Sequence, residues 1–143
     1  MGIFGKLFGS KKLRIIDLDF GEIESFSVRE NNVNWTFRKQ FLDADIEILI
    51  DGDKEKISEH QKQILINALN NESEIKSESE KALKECFNNA EMEFISIEKH
   101  FEVNSISVNN DGFELAFHEK KTPYYFFNVY FENNKQVGVS VDG

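Results

Sequence analysis

Apolar and polar residues alternate most regularly in two stretches near the start of the chain. Val33, Trp35 and Phe37 share one parity, with Asn34, Thr36 and Arg38 on the other; Ala44, Ile46, Ile48 and Ile50 repeat the pattern against Asp45, Glu47 and Asp51. A period of two is the mark of a strand with one buried and one wet face. Leu13–Phe20 alternates more loosely and is expected to end at Gly21, and Ile23–Val28 reads as a weaker strand. Between them and Val33, Arg29-Glu30-Asn31-Asn32 has hairpin-turn chemistry, because Asn tolerates the left-handed backbone of tight turns.

In the middle third the period changes to 3.6. Ile57, Ile64, Leu65, Ala68 and Leu69 fall on one helical face, with a capping box at Ser58-Glu59-His60-Gln61 and a stop at Asn70-Asn71. Ile75, Ala82, Leu83, Cys86 and Phe87 repeat the arrangement in a second helix that ends at Asn88-Asn89. So short a connection predicts an antiparallel αα-hairpin. The last third returns to strands, expected at Glu93–Ile97, Ser105–Val108, Phe113–Phe117, Tyr124–Phe131 and Val137–Val141, with turns at 109–112 and 132–135. The run YYFFNVYF is apolar on both parities, which predicts a central strand covered on both faces. The fold class expected is α+β: a mostly antiparallel sheet with an αα-hairpin inserted between two groups of strands, and a short N-terminal amphipathic helix.

Two units follow, a basic amphipathic arm at 1–12 and one α+β domain at 13–143. The arm, MGIFGKLFGSKK, sets Ile3, Phe4, Leu7 and Phe8 at helical spacing beside Lys6. It lacks the pattern of a secretory signal, since Lys6 splits a short apolar stretch, and Lys6 also occupies the position where a myristoylation signal needs Ser or Thr. Packing on the acidic domain or on a second copy, contact with an anionic membrane surface, and binding of a partner are the uses open to it.

Charge narrows the partners. The chain has 26 acidic against 17 basic residues and a net charge of −9, although Lys6, Lys11, Lys12 and Arg14 make its first 16 residues purely basic. A body this acidic repels phosphate backbones, so nucleic acid is excluded as an expected partner and a basic protein favoured. With 40% hydrophobic residues, 14 of them Phe, the chain has material for a core without metal or disulfide. Its single cysteine and the lack of an apolar run of about 20 residues fit a cytoplasmic protein.

No catalytic motif emerges. His60, His100 and His118 are too scattered for a metal-ligand pattern, and Asp51-Gly52-Asp53 begins like a calcium loop that fails at Lys56 and Lys62. Cys86 sits on an apolar stripe, where a thiol acts as a small hydrophobe. The pairs Asp17/Asp19, Asp43/Asp45 and Asp51/Asp53 keep a carboxylate-based hydrolase open as an alternative, without a motif to support it. Trp35 is expected in the core. What remains is acid in quantity: Glu72, Glu74, Glu78, Glu80 and Glu85 on the second helix are candidate partner-binding residues, with Tyr124 and Tyr125 beside Pro123 as aromatic anchors.

The run ISEHQKQILINALNNESEIKSESEKAL, preceded by strands and followed by VNSISVNNDGFELAF and VYFENNKQVGVSVDG, resembles small bacterial domains of unknown function. Some of those families are thought to be immunity proteins of toxin systems. The resemblance covers roughly residues 17–143 and lies in element order; the Trp-Asp-x-Glu-His-Gly-like stretch of those families is replaced here by FFNVYFENNK, so no functional residue carries over. The expectation is a small acidic binding protein, an immunity-type inhibitor of a basic toxin domain, with no enzymatic activity, cofactor or metal. A peripheral membrane protein using the arm is the other alternative.

Overall fold

The computed structural model describes residues 12–122 and 124–143. The N-terminal helix expected around Ile3, Phe4, Lys6, Leu7 and Phe8 lies outside the described residues; of the arm, only Lys12 is within them. Among the described residues four strands come first: β1 (Arg14–Asp17), β2 (Gly21–Arg29), β3 (Asn32–Phe41) and β4 (Ala44–Gly52). Three helices follow, α1 (Glu59–Leu69), α2 (Glu72–Asn89) and the single turn α3 (Ile97–His100). The chain then closes with β5 (Phe101–Val108), β6 (Phe113–Glu119), β7 (Phe126–Glu132) and β8 (Lys135–Asp142). The class is α+β.

All eight strands form one sheet in sequence order, antiparallel throughout except where β4 and β5 run parallel at its centre. Two meanders of four strands thus meet side by side. A parallel neighbour cannot be reached by a tight turn, and the helical segment supplies the crossover. No helix among the described residues is long and apolar enough to cross a membrane.

Register gives each face its character. Phe37, Ile48, Ile106, Leu115, Val129 and Val139 stand opposite one another across six strands. Leu65, Ala68, Ile75, Leu83 and Phe87 of the helices join this row in one core. α1 packs over β4 and β5, and α2 over β7 and β8. Trp35 is fully buried and its indole N–H donates to the Asp53 carbonyl at 2.9 Å, tying the core to the loop before α1.

Local chemistry explains the boundaries. Ser58 caps α1 by accepting from the Gln61 N–H at 3.2 Å, but the Gln61 side chain does not return to Ser58 as a capping box requires. It turns to β4 and accepts from the Asp51 N–H at 3.0 Å. Ile57 lies before the helix, bridging Gly52. A side chain at Gly52 would collide with the Lys56 carbonyl, so this close return needs glycine. In the β3–β4 turn both Leu42 (φ 50°) and Asp43 (φ 62°) are left-handed, the type I′ geometry that suits strand twist. Asn133 and Asn134 do the same between β7 and β8.

Three expectations need correction. Glu93–Ile97 is not a strand: Ser96 accepts from the Lys99 N–H at 3.1 Å and starts α3, while Phe94 folds onto Phe87 with ring centroids 5.5 Å apart. Gly21 does not end a strand but begins β2 with φ 77°, after a turn at 18–20. The aromatic run is not central, because β7 begins at Phe126 and is next to the edge strand β8. Its second parity is aromatic for another reason: Tyr130 lies on the face away from the helices, where its hydroxyl meets Ser140 Oγ at 2.9 Å.

Candidate binding face

The strands place a second, polar set of rows on the sheet face opposite the helices. One row reads Arg14, Glu24, Thr36, Leu49, Ser107, Glu114, Tyr130 and Gly138, one residue from each strand. The next reads Arg38, Glu47, Ser105, Ala116, Asn128 and Ser140 from β3 to β8. No helix among the described residues packs over these rows. Thr36, Ser105 and Asn128 are nevertheless less than a tenth exposed.

Cross-strand bonds hold the rows in place. Asn34 donates to Asp51 at 2.9 Å and Thr36 to Glu47 at 3.2 Å. The Arg38 guanidinium reaches both the Asp45 carboxylate at 3.3 Å and its carbonyl at 2.6 Å. Asn128 donates to Asp142 at 2.7 Å, and His118 lies 3.1 Å from Glu102. At the β1 side, Lys12 and Arg14 share Glu24 at 3.1 and 3.6 Å. Those pairs engage Lys12, Arg14 and Arg38, while Arg29 lies at the turn end of β2 opposite Asn32. Glu22, Glu47, Glu114 and Asp142 have no lysine or arginine within salt-bridge distance among the described residues. Glu47 and Glu114 stand on β4 and β6, either side of β5, with Glu114 between Ser107 and Tyr130. The surface is therefore rigid, hydroxyl-rich and negative.

Grooves open at either end of the sheet. One of 720 Å³ lies where β2, β3 and β4 meet the start of α1, around Asn34, Asp51 and Gln61. Gln61 is 3% exposed and fully engaged there: besides accepting from the Asp51 N–H, it donates to Asp51 and Asn110. The other, of 500 Å³, has Arg38, Glu102, His118 and Lys120 around an apolar floor of Phe101 and Phe117. The three histidines occupy separate places: His60 meets the Asn110 carbonyl, His100 accepts from the Ile95 N–H, and His118 pairs with Glu102. Cys86 is half-buried, and burial, with Glu85 nearby, pushes its thiol above the usual range.

The acidic residues singled out on the second helix do different jobs. Glu72 accepts from the Leu42 N–H at 2.7 Å and braces the left-handed β3–β4 turn. Glu74 pairs with Lys135 at 3.0 Å, and this carboxylate raises the lysine's pKa. Glu78 accepts from the Gln136 N–H at 3.2 Å; that bond, helped by Lys81, holds its carboxyl below the ordinary range. These three fasten α2 to the sheet. Glu80 and Glu85 make no salt bridge among the described residues. Tyr124 and Tyr125 precede β7 and are 85% and 47% exposed. None of these residues belongs to the polar rows, and Ile3, Phe4, Lys6, Leu7 and Phe8 lie outside the described residues.

Sequence reasoning missed Glu22, Glu47 and Glu114 as a group. The signal was present, since each falls on the polar parity of its strand, but parity does not say which strands become neighbours. Comparison with family models, curated proteins and solved structures finds no match for this chain.

Proposed function

We propose that this chain is a small acidic binding protein whose sheet face opposite the described helices receives a basic protein domain, acting in the cytoplasm as an immunity-type inhibitor of a toxin. The observation that supports this most directly is the set of carboxylates, Glu22, Glu47, Glu114 and Asp142, that one rigid face presents without cationic partners among the described residues. Each is carried by a strand held on both sides or tied by a cross-strand bond, so little ordering is required when a partner arrives. Size is also adequate. Eight strands about 4.8 Å apart and about seven residues long span roughly 800 Å², the area each partner contributes to a standard interface.

Lysines and arginines of a partner would find the half-buried hydroxyls of Ser107, Tyr130 and Ser140 between the carboxylates. Such a surface favours rapid, steered association, since the acids act beyond contact distance. Titration of the chain with the product of its neighbouring gene at rising salt tests the reading. Affinity is expected to fall about tenfold or more between about 0.05 and 0.5 M salt, as charge steering is screened. Binding that ignores salt, or no binding at all, contradicts it.

A further inference from the structure

We propose that β8 pairs with the β8 of a second copy of this chain, antiparallel, across a two-fold axis at Ser140. The two edges of the sheet are built differently. β1 is four residues long, with Lys12 just before it and Arg14 at its start, the short, charged edge that resists further pairing. β8 is eight residues long and carries no charge from Gln136 to Val141. Its sequence there, QVGVSV, has no proline and three β-branched valines.

What protection β8 has is confined to its first half. Glu78 of α2 takes the Gln136 N–H and Glu74 holds Lys135. The register slips between Gln136 and Gly138, leaving Val137 as the extra residue of a bulge. Beyond the bulge, Gly138–Asp142 is regular against β7, and no strand among the described residues takes its outer side. The one charge in that stretch, Asp142, is drawn back across β7 by Asn128. An open, regular edge of five residues, uncharged from Gly138 to Val141, is what remains.

The midpoint of that edge is Ser140, and two-fold symmetry about it makes the edge complementary to itself. Ser140 then faces its own copy, with Val139 opposite Val141 and Gly138 opposite Asp142. On the helix side, Val139 and the 53% exposed Val141 extend the valine end of the core row into the partner. On the other side, glycine leaves room for Asp142. Five residues a side is less than a standard interface, so the dimer is weak, with a Kd in the range of about 10–100 µM. Two chains of charge −9 also repel, and salt should strengthen this contact while weakening the one with a basic partner.

The test is Ser140→Cys in a Cys86→Ala background, oxidised mildly, beside sedimentation of the unmodified chain from about 1 to 500 µM. Directly opposed strand residues lie about 4.5–5.5 Å apart at Cα, within disulfide range. The Ser140→Cys variant is expected to cross-link about tenfold faster than the exposed control Ser73→Cys in the same background, the advantage of a pre-aligned pair over random collision. The unmodified chain should pass from monomer to dimer with concentration, and Val141→Lys should stay monomeric. A monomer throughout, or a dimer in which the Ser140→Cys thiols link no faster than those of the control, overturns the proposal.

Discussion

Lys62 shows how far a single residue can depart from its sequence pattern. Its side chain is 9% exposed and reaches back 45 residues to Asp17 at 3.0 Å, with Asp19 at 2.6 Å and the Phe20 ring 6.0 Å below. Asp17 is 10% exposed and also accepts from the N–H groups of Asp19 and Phe20. Burial pushes the Asp17 carboxyl up, but these donors and the ammonium outweigh it and hold the group below its ordinary value. Hydrogen bonding to Asp19, then to Asp17, raises the Lys62 ammonium against its burial. The carboxylate's share of stability is complete above the unfolded Asp range and is lost as pH falls through the lowered folded value. The lysine's share is complete below the ordinary lysine range and is lost as pH rises through the raised folded value. Lys62→Ala should cost about 2–3 kcal/mol in urea unfolding, less than for a fully dry pair because Asp17 keeps two backbone donors and Asp19 faces water. A loss within about 0.5 kcal/mol would mean that the cluster contributes no more than an exposed pair. Nothing in the period of α1 separates Lys62 from a solvated lysine. Only the return of the β1–β2 turn over the helix does so.

At the scale of elements, the glutamates of α2 divide by what they touch. Leu42 occupies a left-handed conformation that costs a side chain such as leucine about 1 kcal/mol, and the Glu72 carboxylate on its N–H offsets that strain. Glu72→Ala is therefore expected to lower stability by about 1–2 kcal/mol, whereas Glu85→Ala, at an exposed position, should stay within about 0.5 kcal/mol. Thermal or urea unfolding of the two variants checks this; equal effects would remove the distinction. Helix positions and their apolar stripes were legible in the sequence, because Leu65, Ala68, Ile75, Leu83 and Phe87 keep the 3.6 period and each is buried. The strands from Val33 to Ile50 were legible for the same reason at period two. Glu93–Ile97 was misread because the chain there has apolar residues with no sheet to receive them. Phe94 packs on Phe87, while Met92 and Ile95 stay exposed at 49% and 60%.

For the whole molecule, the sequence contained both faces but not their assembly. Alternation marks Glu47 and Glu114 as polar-side residues, yet they reach neighbouring rows only because β4 and β5 lie side by side in parallel, with β6 beyond them. That parallel seam depends on the helical crossover, a long-range feature that periodicity cannot express. The same geometry leaves the core on one side and, on the other, an acidic ladder over which no helix packs among the described residues. Acid-rich composition pointed to a basic partner but not to a surface, and the most acidic helix proved to use three of its glutamates internally.

On the proposal made above, the sheet face opposite the described helices, rather than α2, receives the basic partner. Calorimetric titration of the neighbouring gene product into two charge-reversed variants tests it most directly. Glu47→Lys with Glu114→Lys alters the face; Glu80→Lys with Glu85→Lys alters the helix by the same charge. The first pair is expected to weaken binding about 100-fold, as when like charges are forced together at an interface, and the second to change it less than about threefold. Unchanged binding by the face variant, or a larger loss from the helix variant, would contradict it.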